Sequence, residues 1–330
     1  MQHNSPKRMA VIGTGVMGRN HARTIARHPE LELTCVIDSQ MSAAVAVAEA
    51  HGSGAVENLR GISAEFIDGA VIATPSHLHA EMAEQLMHAG VDVLVEKPIA
   101  LNVSDADRLA EVSAREDRVL MVGHIELFNP TVESLISALG GSTIRRIVAE
   151  RLGSVADTSR LYHNVVEDLM VHDLAVVLKL LSCTEVPKLL SAFGRSDTVA
   201  SPDPADAHFL IGELGVDAYF RASRSYPGGK KRTITVETDT GIVVADLLDR
   251  SVQYTKAGEG AFDLGGQRFT QDSTTSKLIP PATEPLYAEL DFFYHCMNRD
   301  AVPEAMGVSA VDAIRVLRCT DAVLGLIRSH

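Results

Sequence analysis

The first third of the chain alternates short, predominantly apolar segments with longer segments of helical periodicity. The apolar segments cover residues 9–12, 33–37, 70–73, 91–95 and 119–122. Between them, apolar residues recur at helical spacing, as Leu78, Met82 and Leu86 do at every fourth position. Strands that are apolar throughout are buried on both faces, as in a parallel sheet covered by helices. The pattern therefore predicts a doubly wound α/β domain over residues 1–124.

Polar residues at the ends of the periodic segments predict where the helices begin and end. Ser42 is expected to cap the second helix, and Gly52 is expected to end it. Ser104 and Asp107 are spaced as a capping pair for a helix that reaches about residue 115. Asn129 followed by proline predicts a further helix start, just beyond the α/β domain.

Residues 125–330 follow a different pattern and are predicted to form an α+β domain. One long helix is expected over residues 164–181, and two more near residues 285–297 and 309–327. Strand-like runs lie at residues 144–152, 189–193, 208–211, 216–222, 233–238, 242–246 and 252–255. The alternation of polar and apolar residues in 233–238 is typical of an antiparallel strand with one exposed face. An open sheet of this kind predicts a homo-oligomer, a dimer or a tetramer, in which a partner covers the exposed face.

Composition and charge exclude several classes of protein. The 330 residues are 46% hydrophobic and 22% charged, which excludes a disordered chain. The sequence contains no apolar run of the roughly 18 residues that a transmembrane helix needs, and we expect no membrane association and a cytoplasmic location. A net charge of −13 argues against nucleic-acid binding. The four cysteines form no CxxC pair, so we predict reduced thiols and no metal site.

A glycine-rich turn follows the first predicted strand and opens the first helix. It consists of Gly13, Thr14, Gly15, Val16, Met17 and Gly18. Between a strand and a helix, this spacing is that of a dinucleotide-binding fingerprint. The alternative is a tight strand-to-helix turn that binds no ligand. Asp38 ends the second strand 20 residues beyond Gly18, where its carboxylate can accept from both ribose hydroxyls. The carboxylate would repel a 2′-phosphate, so we predict NAD rather than NADP.

Two further strand ends carry polar side chains, and ligands of open α/β sheets bind at this edge. The first group is Thr74, Pro75, His77 and His79, and the second is Glu96, Lys97 and Pro98. Each histidine alone reads more simply as a surface residue, and so does the lysine. In the second domain, Asp168 and His172 are four apart on the long helix, on the side away from its apolar stripe. They form either an exposed pair or an oriented general base.

Together these motifs resemble the Gfo/Idh/MocA oxidoreductases, over nearly the whole chain. The resemblance implies a Rossmann domain, an open-sheet α+β domain and NAD(P)-dependent chemistry at a hydroxyl or ketone of a sugar or cyclitol. It assigns Lys97 to the catalytic lysine and Glu96 to the acid near the nicotinamide ribose. Asp168 and His172 match the acid and histidine of the substrate helix, although the glycines that many members have near this motif are absent here.

Residues 122–130 and 168–174 show a finer resemblance to the UDP-N-acetylglucosamine 3-dehydrogenase branch. That resemblance implies oxidation of a nucleotide sugar at C3, with an aminotransferase acting next in amino-sugar biosynthesis. Lys97 or His172 would take the hydroxyl proton. The predicted substrate residues are Lys97, His124, Asn129, Arg151, Arg160, Tyr162, Asp168 and His172. Two alternatives remain: a dehydrogenase of a free cyclitol or aminoglycoside-type sugar, and a non-catalytic NAD-binding regulator.

Overall fold

The chain folds into two compact units in the computed structural model. The structure describes residues 5–153, 164–195, 202–213, 215–256, 261–264, 267–270, 274–300 and 308–328. Unit 1 comprises residues up to 128 together with 283–317, and unit 2 comprises residues 129–282 together with those from 318 on. The first boundary lies close to the predicted one at residue 124. The return of residues 283–317 to unit 1 was not predicted, because a helical pattern does not reveal which core the helix joins.

Unit 1 contains a six-stranded parallel sheet flanked by helices. Its strands are β1 (Lys7–Ile12), β2 (Leu31–Ile37), β3 (Gly54–Val56), β4 (Gly69–Ile72), β5 (Asp92–Glu96) and β6 (Leu120–Gly123), and their spatial order is β3-β2-β1-β4-β5-β6. Its helices are α1 (Val16–Ile25), α2 (Met41–His51), α3 (His79–His88), α4 (Val103–Glu116), α7 (Pro285–Met297) and the first part of α8 (Ala310–Arg328). This is the Rossmann order, in which the chain reverses direction across the sheet between β1 and β4. The predicted α/β class is confirmed.

The helix caps agree with the sequence only in part. Gly52 ends α2 in a left-handed conformation, as predicted, but α2 begins at Met41 and Ser42 lies inside it. The cap of α4 is Asn102 rather than Ser104, and its side chain accepts from the amide of Asp105 at 2.8 Å. In both helices the start lies slightly earlier than the residue that local spacing favoured, within the usual uncertainty of helix ends.

The core of unit 1 explains why the C-terminal helices return to it. Strands β1, β4 and β5 are buried along almost their full length. The core cluster around them includes Ala310, Ala313, Ile314 and Leu317 from α8. On β4, Gly69 leaves room for Met297 of α7, since a β-carbon there would lie 2.6 Å from its sulfur. The apolar faces of α7 and α8 thus cover the sheet of unit 1.

Unit 2 contains an eight-stranded, mainly antiparallel sheet and is α+β, as predicted. Its strands are β7 (Ile144–Leu152), β8 (Lys188–Gly194), β9 (Ala205–Ile211), β10 (Val216–Ser223), β11 (Lys231–Thr238), β12 (Gly241–Asp246), β13 (Ser251–Lys256) and β16 (Thr274–Leu278). Their order is β16-β13-β12-β11-β7-β10-β9-β8, and only β7 and β10 run parallel. Three strands were not predicted, namely β16 and the separate hairpin of β14 (Ala261–Leu264) and β15 (Gln267–Thr270).

One face of the unit 2 sheet is exposed. Residues of β10 alternate between buried and accessible positions, and Tyr219 is on the accessible side. Phe193 of β8 and Ile242 of β12 are also exposed, and Phe193 is 66% accessible. Helices α5 (Pro130–Leu139) and α6 (Val171–Leu180) belong to this unit as well. The oligomer in which a second copy covers the exposed face stays a prediction.

Candidate functional site

The glycine-rich turn forms the tight connection that the fingerprint predicts. Gly13 has φ +94°, and a β-carbon there would lie 2.6 Å from the carbonyl oxygen of Ala73. A β-carbon on Gly18 would overlap the backbone of Gly13, so this glycine allows α1 to pack against the turn. Gly15 caps the N-terminus of α1, and a β-carbon there would meet nothing within 4 Å. The backbone at Gly15 is therefore open to an approaching phosphate, at the positive end of a helix.

These two kinds of glycine predict opposite outcomes for the same substitution. We expect Gly13→Ala to lower the free energy of unfolding by about 1–3 kcal/mol, because it adds both overlap and left-handed strain. We expect Gly15→Ala to change stability little but to weaken NAD binding about tenfold or more, because the methyl group occupies the phosphate approach. Urea unfolding and fluorescence titration with NADH measure the two effects. A Gly15 variant that unfolds more readily and binds normally would contradict this assignment.

A cavity of about 710 Å³ opens beside this turn, at the carboxyl ends of the strands. Seven of the predicted cofactor residues line it: Gly13, Thr14, Gly15, Asp38, Thr74, Pro75 and His77. Three further lining residues, Glu57, Asn58 and Leu59, follow β3 and were missed from the sequence. The only signal for that strand is the short apolar run Gly54–Val56, which is too brief to identify with confidence from periodicity. Shape and position fit the adenosine and pyrophosphate of a dinucleotide.

Asp38 is held rigidly at the wall of this cavity. Its Oδ2 accepts from the amide of Thr14 at 2.8 Å and from the Thr14 hydroxyl at 2.7 Å, and its Oδ1 accepts from the amide of Gln40 at 2.9 Å. Burial opposes ionisation of this carboxyl, but the three hydrogen bonds outweigh it and lower its pKa below the ordinary value. The group is therefore a fixed negative charge at neutral pH, where a ribose would approach.

The remaining predicted cofactor residues do not line this cavity. Within the turn and α1 they are Val16, Met17 and Gly18, and at the strand ends they are His79, Glu96, Lys97 and Pro98. His79 is 1% exposed, and its ring nitrogens contact the backbone carbonyls of Thr74 and Pro98. A side chain in that setting supports the surrounding backbone, and its predicted part in cofactor binding stays a prediction.

Glu96 ends β5 and Lys97 follows it directly, and both residues are partly buried. The Nε2 of His21, on α1, donates to Glu96 Oε1 at 2.7 Å. Across the sheet Glu96 pairs with Gly123 of β6, and a β-carbon on that glycine would lie 3.2 Å from Glu96 Oε2. The glycine thus leaves room for the carboxylate. A buried histidine and a neighbouring strand together fix the residue that precedes Lys97.

His124 follows β6 and is buried beside these groups. It is 2% exposed, and within the described part of the chain neither ring nitrogen has a hydrogen-bond partner. Burial and the nearby charge of Lys97 lower its pKa to about 4. His124 is therefore a neutral imidazole at physiological pH. Its predicted role as a substrate residue stays a proposal, and its burial argues for a role in the interior.

Glu289 of α7 is a second buried group in this region that the sequence did not reveal. It is 0% exposed, and within the described residues neither carboxyl oxygen has a hydrogen-bond partner. Burial, with a smaller contribution from the charge of Glu96, raises its pKa well above the ordinary value. The folded protein therefore favours the protonated form of this carboxyl group more than the unfolded chain does.

The pKa of Glu289 predicts how its replacement changes the pH dependence of stability. In the unfolded chain the group ionises around the ordinary pKa of a glutamate, about 4.3, whereas the folded chain keeps the proton to a higher pH. Stability is thus lost as pH rises from that value through the folded pKa. We expect Glu289→Gln to remove this loss, so its unfolding free energy should gain on the parent by up to about 1.4 kcal/mol per pH unit. If plots of unfolding free energy against pH for the two proteins ran parallel between acid and neutral pH, the assignment would be contradicted.

The predicted substrate helix of unit 2 begins with a π-helical turn. Residues Val166–Met170 form this turn, and α6 continues it. Both Asp168 and His172 are partly exposed, whereas Val166 and Met170 are fully buried, so the pair lies off the apolar stripe as predicted. Arg224 Nη1 lies 3.4 Å from Asp168 Oδ2. The sequence did not reveal this ionic contact, because Arg224 comes from the loop after β10.

Two predicted substrate residues have local structural roles instead. Arg151 is 3% exposed, and its guanidinium donates to the buried carboxylate of Asp173 at 2.8 to 3.2 Å. It joins β7 to α6, and its predicted role as a substrate residue stays a prediction. Asn129 is the cap of α5, and its side chain accepts from the amide of Thr131 at 3.0 Å. Arg160 and Tyr162 lie outside the described residues.

Neither a metal centre nor a membrane span is found in the part of the chain that the structure describes. None of its His, Cys, Asp and Glu side chains form a group of three or more that could hold a metal ion. None of its helices combines the length and the apolar character that crossing a bilayer requires.

Comparisons with known proteins agree with this geometry. Residues 7–124 match the Gfo/Idh/MocA oxidoreductase family, described as having an NAD-binding Rossmann fold. The chain is 34% identical over 217 residues to a UDP-N-acetylglucosamine 3-dehydrogenase of Acidithiobacillus ferrooxidans, which is 66% of this chain and 67% of that protein. It is 31% identical over 335 residues to an inositol 2-dehydrogenase of Renibacterium salmoninarum, covering 97% of this chain and 95% of the relative.

A solved structure is similar over almost the whole length. The crystal structure of the Acidithiobacillus ferrooxidans UDP-N-acetylglucosamine 3-dehydrogenase superposes with a TM-score of 0.83 at 25% identity, and the match covers 99% of both chains. The sequence relatives and the superposed structure indicate the same family as the motifs at the strand ends. The chain belongs to the Gfo/Idh/MocA family of oxidoreductases and has its NAD-binding Rossmann fold.

Proposed function

We propose that this protein is an NAD-dependent dehydrogenase that oxidises a secondary hydroxyl of a sugar to a ketone. The observation that carries the proposal is the cavity beside the glycine turn, where the open backbone of Gly15 and the fixed carboxylate of Asp38 fit a dinucleotide. Lys97 directly follows strand β5, which ends at the same edge of that sheet. Within an oxidoreductase family, this combination favours catalysis over a purely regulatory role.

The cofactor is proposed to be NAD rather than NADP. Asp38 carries a fixed negative charge at the cavity wall, and Glu57 adds a second acid to the lining. Both would repel a 2′-phosphate, while the Asp38 carboxylate can accept from ribose hydroxyls. When it is bound, the nicotinamide supplies the hydride acceptor. The rest of the chemistry belongs to the side chains of this chain.

Lys97 is the proposed acceptor of the hydroxyl proton. A neutral amine takes the proton as the hydride leaves, or a protonated amine stabilises the developing alkoxide. His172 is the alternative base. Arg224 contacts Asp168, so the Asp168 carboxylate would orient His172 while it also binds this guanidinium. We propose that Lys97 does the proton chemistry and that Asp168 and His172 bind the sugar.

The proposed substrate is a UDP-N-acetylglucosamine-type nucleotide sugar, oxidised at C3. The 34% identical relative and the solved structure with a TM-score of 0.83 both have this activity in their names. A free cyclitol is the second candidate, because the relative that matches over 95% of its length is an inositol 2-dehydrogenase. The pairing of the buried Arg151 with Asp173 also supports this second candidate, because a cyclitol carries no diphosphate that needs a cation.

Turnover by the purified protein separates these substrates. NADH formation is followed with NAD and either UDP-N-acetylglucosamine or myo-inositol, and a carbonyl reagent traps the ketone. The control variant Asp38→Ala should lose preference for NAD. We expect NADH and a trapped ketone with the nucleotide sugar, and inhibition by UDP. NADH formation with inositol but not with the nucleotide sugar would identify a cyclitol as the substrate class. No NADH formation with either substrate, while NAD still binds, would contradict the proposed reaction.

A further inference from the structure

The loop after β10 is ordered around a buried carboxylate, that of Asp203, which lies just before β9. The Asp203 side chain is 9% exposed. Its Oδ1 accepts from the hydroxyl of Ser223 at 2.9 Å and from that of Ser225 at 3.2 Å. The same oxygen accepts from the amide of Arg224 at 3.1 Å. Hydrogen bonds to a carboxylate are stronger than those between neutral groups, so one oxygen fixes three consecutive residues of the loop.

The guanidinium of Arg224 lies between two carboxylates. Its Nε is 3.8 Å from Asp203 Oδ2, and its Nη1 is 3.4 Å from Asp168 Oδ2. The side chains of Arg224 and Asp168 are 11% and 19% exposed. Charges that are largely removed from water attract each other more strongly than charges on the surface. The guanidinium therefore links the carboxylate that orders its own loop to a carboxylate on the predicted substrate helix.

Backbone hydrogen bonds hold the segments that carry these three side chains. Strands β7 and β10 run parallel, so both end at the same edge of the unit 2 sheet. The amide of Gly153, after β7, donates to the carbonyl of Ser223 at 2.8 Å, and the Gly153 carbonyl accepts from the amide of Tyr226 at 2.9 Å. The amide of Val165 donates to the carbonyl of Pro202 at 3.2 Å. The loop, the residue before Asp203 and the start of the π-helical turn are thus joined within unit 2.

The Asp168 carboxylate has the chemistry to bind a polyhydroxylated ligand. It lies on the π-helical turn, and such turns are frequent at functional sites. A carboxylate accepts hydrogen bonds from the hydroxyls of a sugar or a cyclitol. A carboxylate that a guanidinium already holds has less rotational freedom to lose when such a ligand binds. An ordered Asp168 therefore binds a hydroxyl more tightly than a mobile one.

We propose that Asp203 is a positioning residue of the sugar site, because it orients the Arg224 guanidinium, which in turn holds the Asp168 carboxylate. Asp203 acts through Arg224 and does not itself bind the sugar. This inference rests on the proposed function for its effect on sugar binding. The link between Asp203 and Arg224 does not depend on that function.

That link is tested without any substrate, by urea unfolding of the full chain. Asp203→Asn keeps an oxygen for the three donors of the loop but removes the negative charge that faces Arg224. Arg224→Met removes the cation, and we expect it to lower the urea midpoint less in the Asp203→Asn background than in the parent. Asp206→Asn is the matched control, since Asp206 pairs with the exposed Arg221 at 3.5 Å. In that background Arg224→Met should have its full effect. Equal shifts of the midpoint in the parent and in Asp203→Asn would overturn the link.

Steady-state kinetics test the positioning of Asp168. For Asp203→Asn we expect the KM of the sugar to rise about tenfold, with kcat within about threefold of the parent and an unchanged KM of NAD. Arg224→Lys keeps a positive charge beside Asp168 and should recover part of the sugar binding that Arg224→Met loses, while Asp206→Asn should match the parent. An unchanged KM of the sugar in Asp203→Asn, or a loss of kcat alone, would overturn the proposal. If the parent turns over no substrate, the proposed function fails, while the urea comparison still decides whether Asp203 holds Arg224.

Discussion

Lys97→Met is expected to lower kcat by about 10²- to 10⁴-fold and to leave NAD binding within a few-fold of the parent. Methionine keeps most of the length of the side chain but has no group that can accept a proton or stabilise an alkoxide. The dinucleotide cavity is lined by other residues, so it should stay intact. Single-turnover kinetics and an NADH titration measure the two quantities separately.

A second variant distinguishes the two functions that the amine could have. Arginine at this position keeps the positive charge but does not lose its proton. If Lys97 is the base, Lys97→Arg should be as inactive as Lys97→Met. If the lysine acts by electrostatic stabilisation, arginine should recover a large part of the rate. The exposed Lys188 provides the matched control, Lys188→Met, and loss of activity there but not at Lys97 would contradict the assignment.

Arg151→Met is expected to lower the free energy of unfolding by about 3–5 kcal/mol. The guanidinium and the carboxylate of Asp173 are 4% and 5% exposed, and the closest contact between them is 2.8 Å. Removing the arginine leaves a buried carboxylate without its ionic partner, and the cost of that charge dominates. We expect Asp173→Leu to lower the free energy of unfolding by a similar amount, because the positive charge of Arg151 then stays buried without this carboxylate. Urea unfolding of the single variants measures both.

The double variant separates loss of the pair from loss of a binding site. Arg151→Met combined with Asp173→Leu removes both charges of the buried pair, so part of the lost stability should return. If Arg151 instead binds the diphosphate, each single variant would weaken nucleotide-sugar binding at unchanged stability, and the double variant would not recover. That second pattern would contradict the structural assignment of Arg151.

The part of the fold that was predictable from the sequence is the part with strong, short-range signals. Buried parallel strands are apolar throughout, so the sheet of unit 1 was identified. The fingerprint was identified because three glycines at fixed spacing are followed by Asp38 at the end of the next strand. Strand β3 was missed because three residues carry no periodicity. Strand β16 was missed because all five of its residues are exposed and only the last of them, Leu278, is apolar. Neither strand has an apolar face for a pattern to reveal.

The site was predictable where the backbone determines it, and less so where distant residues meet. Gly13, Gly15 and Asp38 are positioned by the turn and by the strand end, and they line the cavity as expected. Arg151 and Asp173 are 22 residues apart, and spacing alone does not show that they pair in the interior. Glu289 likewise has the sequence context of any acid on an amphipathic helix. Only the tertiary packing of α7 buries this carboxyl group and raises its pKa.

Transfer of deuterium from labelled substrate tests the central claim most directly. UDP-N-acetylglucosamine carrying deuterium at C3 is incubated with the full-length protein and NAD, and the nicotinamide product is analysed by mass spectrometry. Hydride transfer from C3 predicts NADH that carries one deuterium and a sugar ketone that carries none, with both products formed about 10²- to 10⁴-fold more slowly by Lys97→Met. NADH without deuterium, or a ketone that retains it, would contradict oxidation at C3 by this protein.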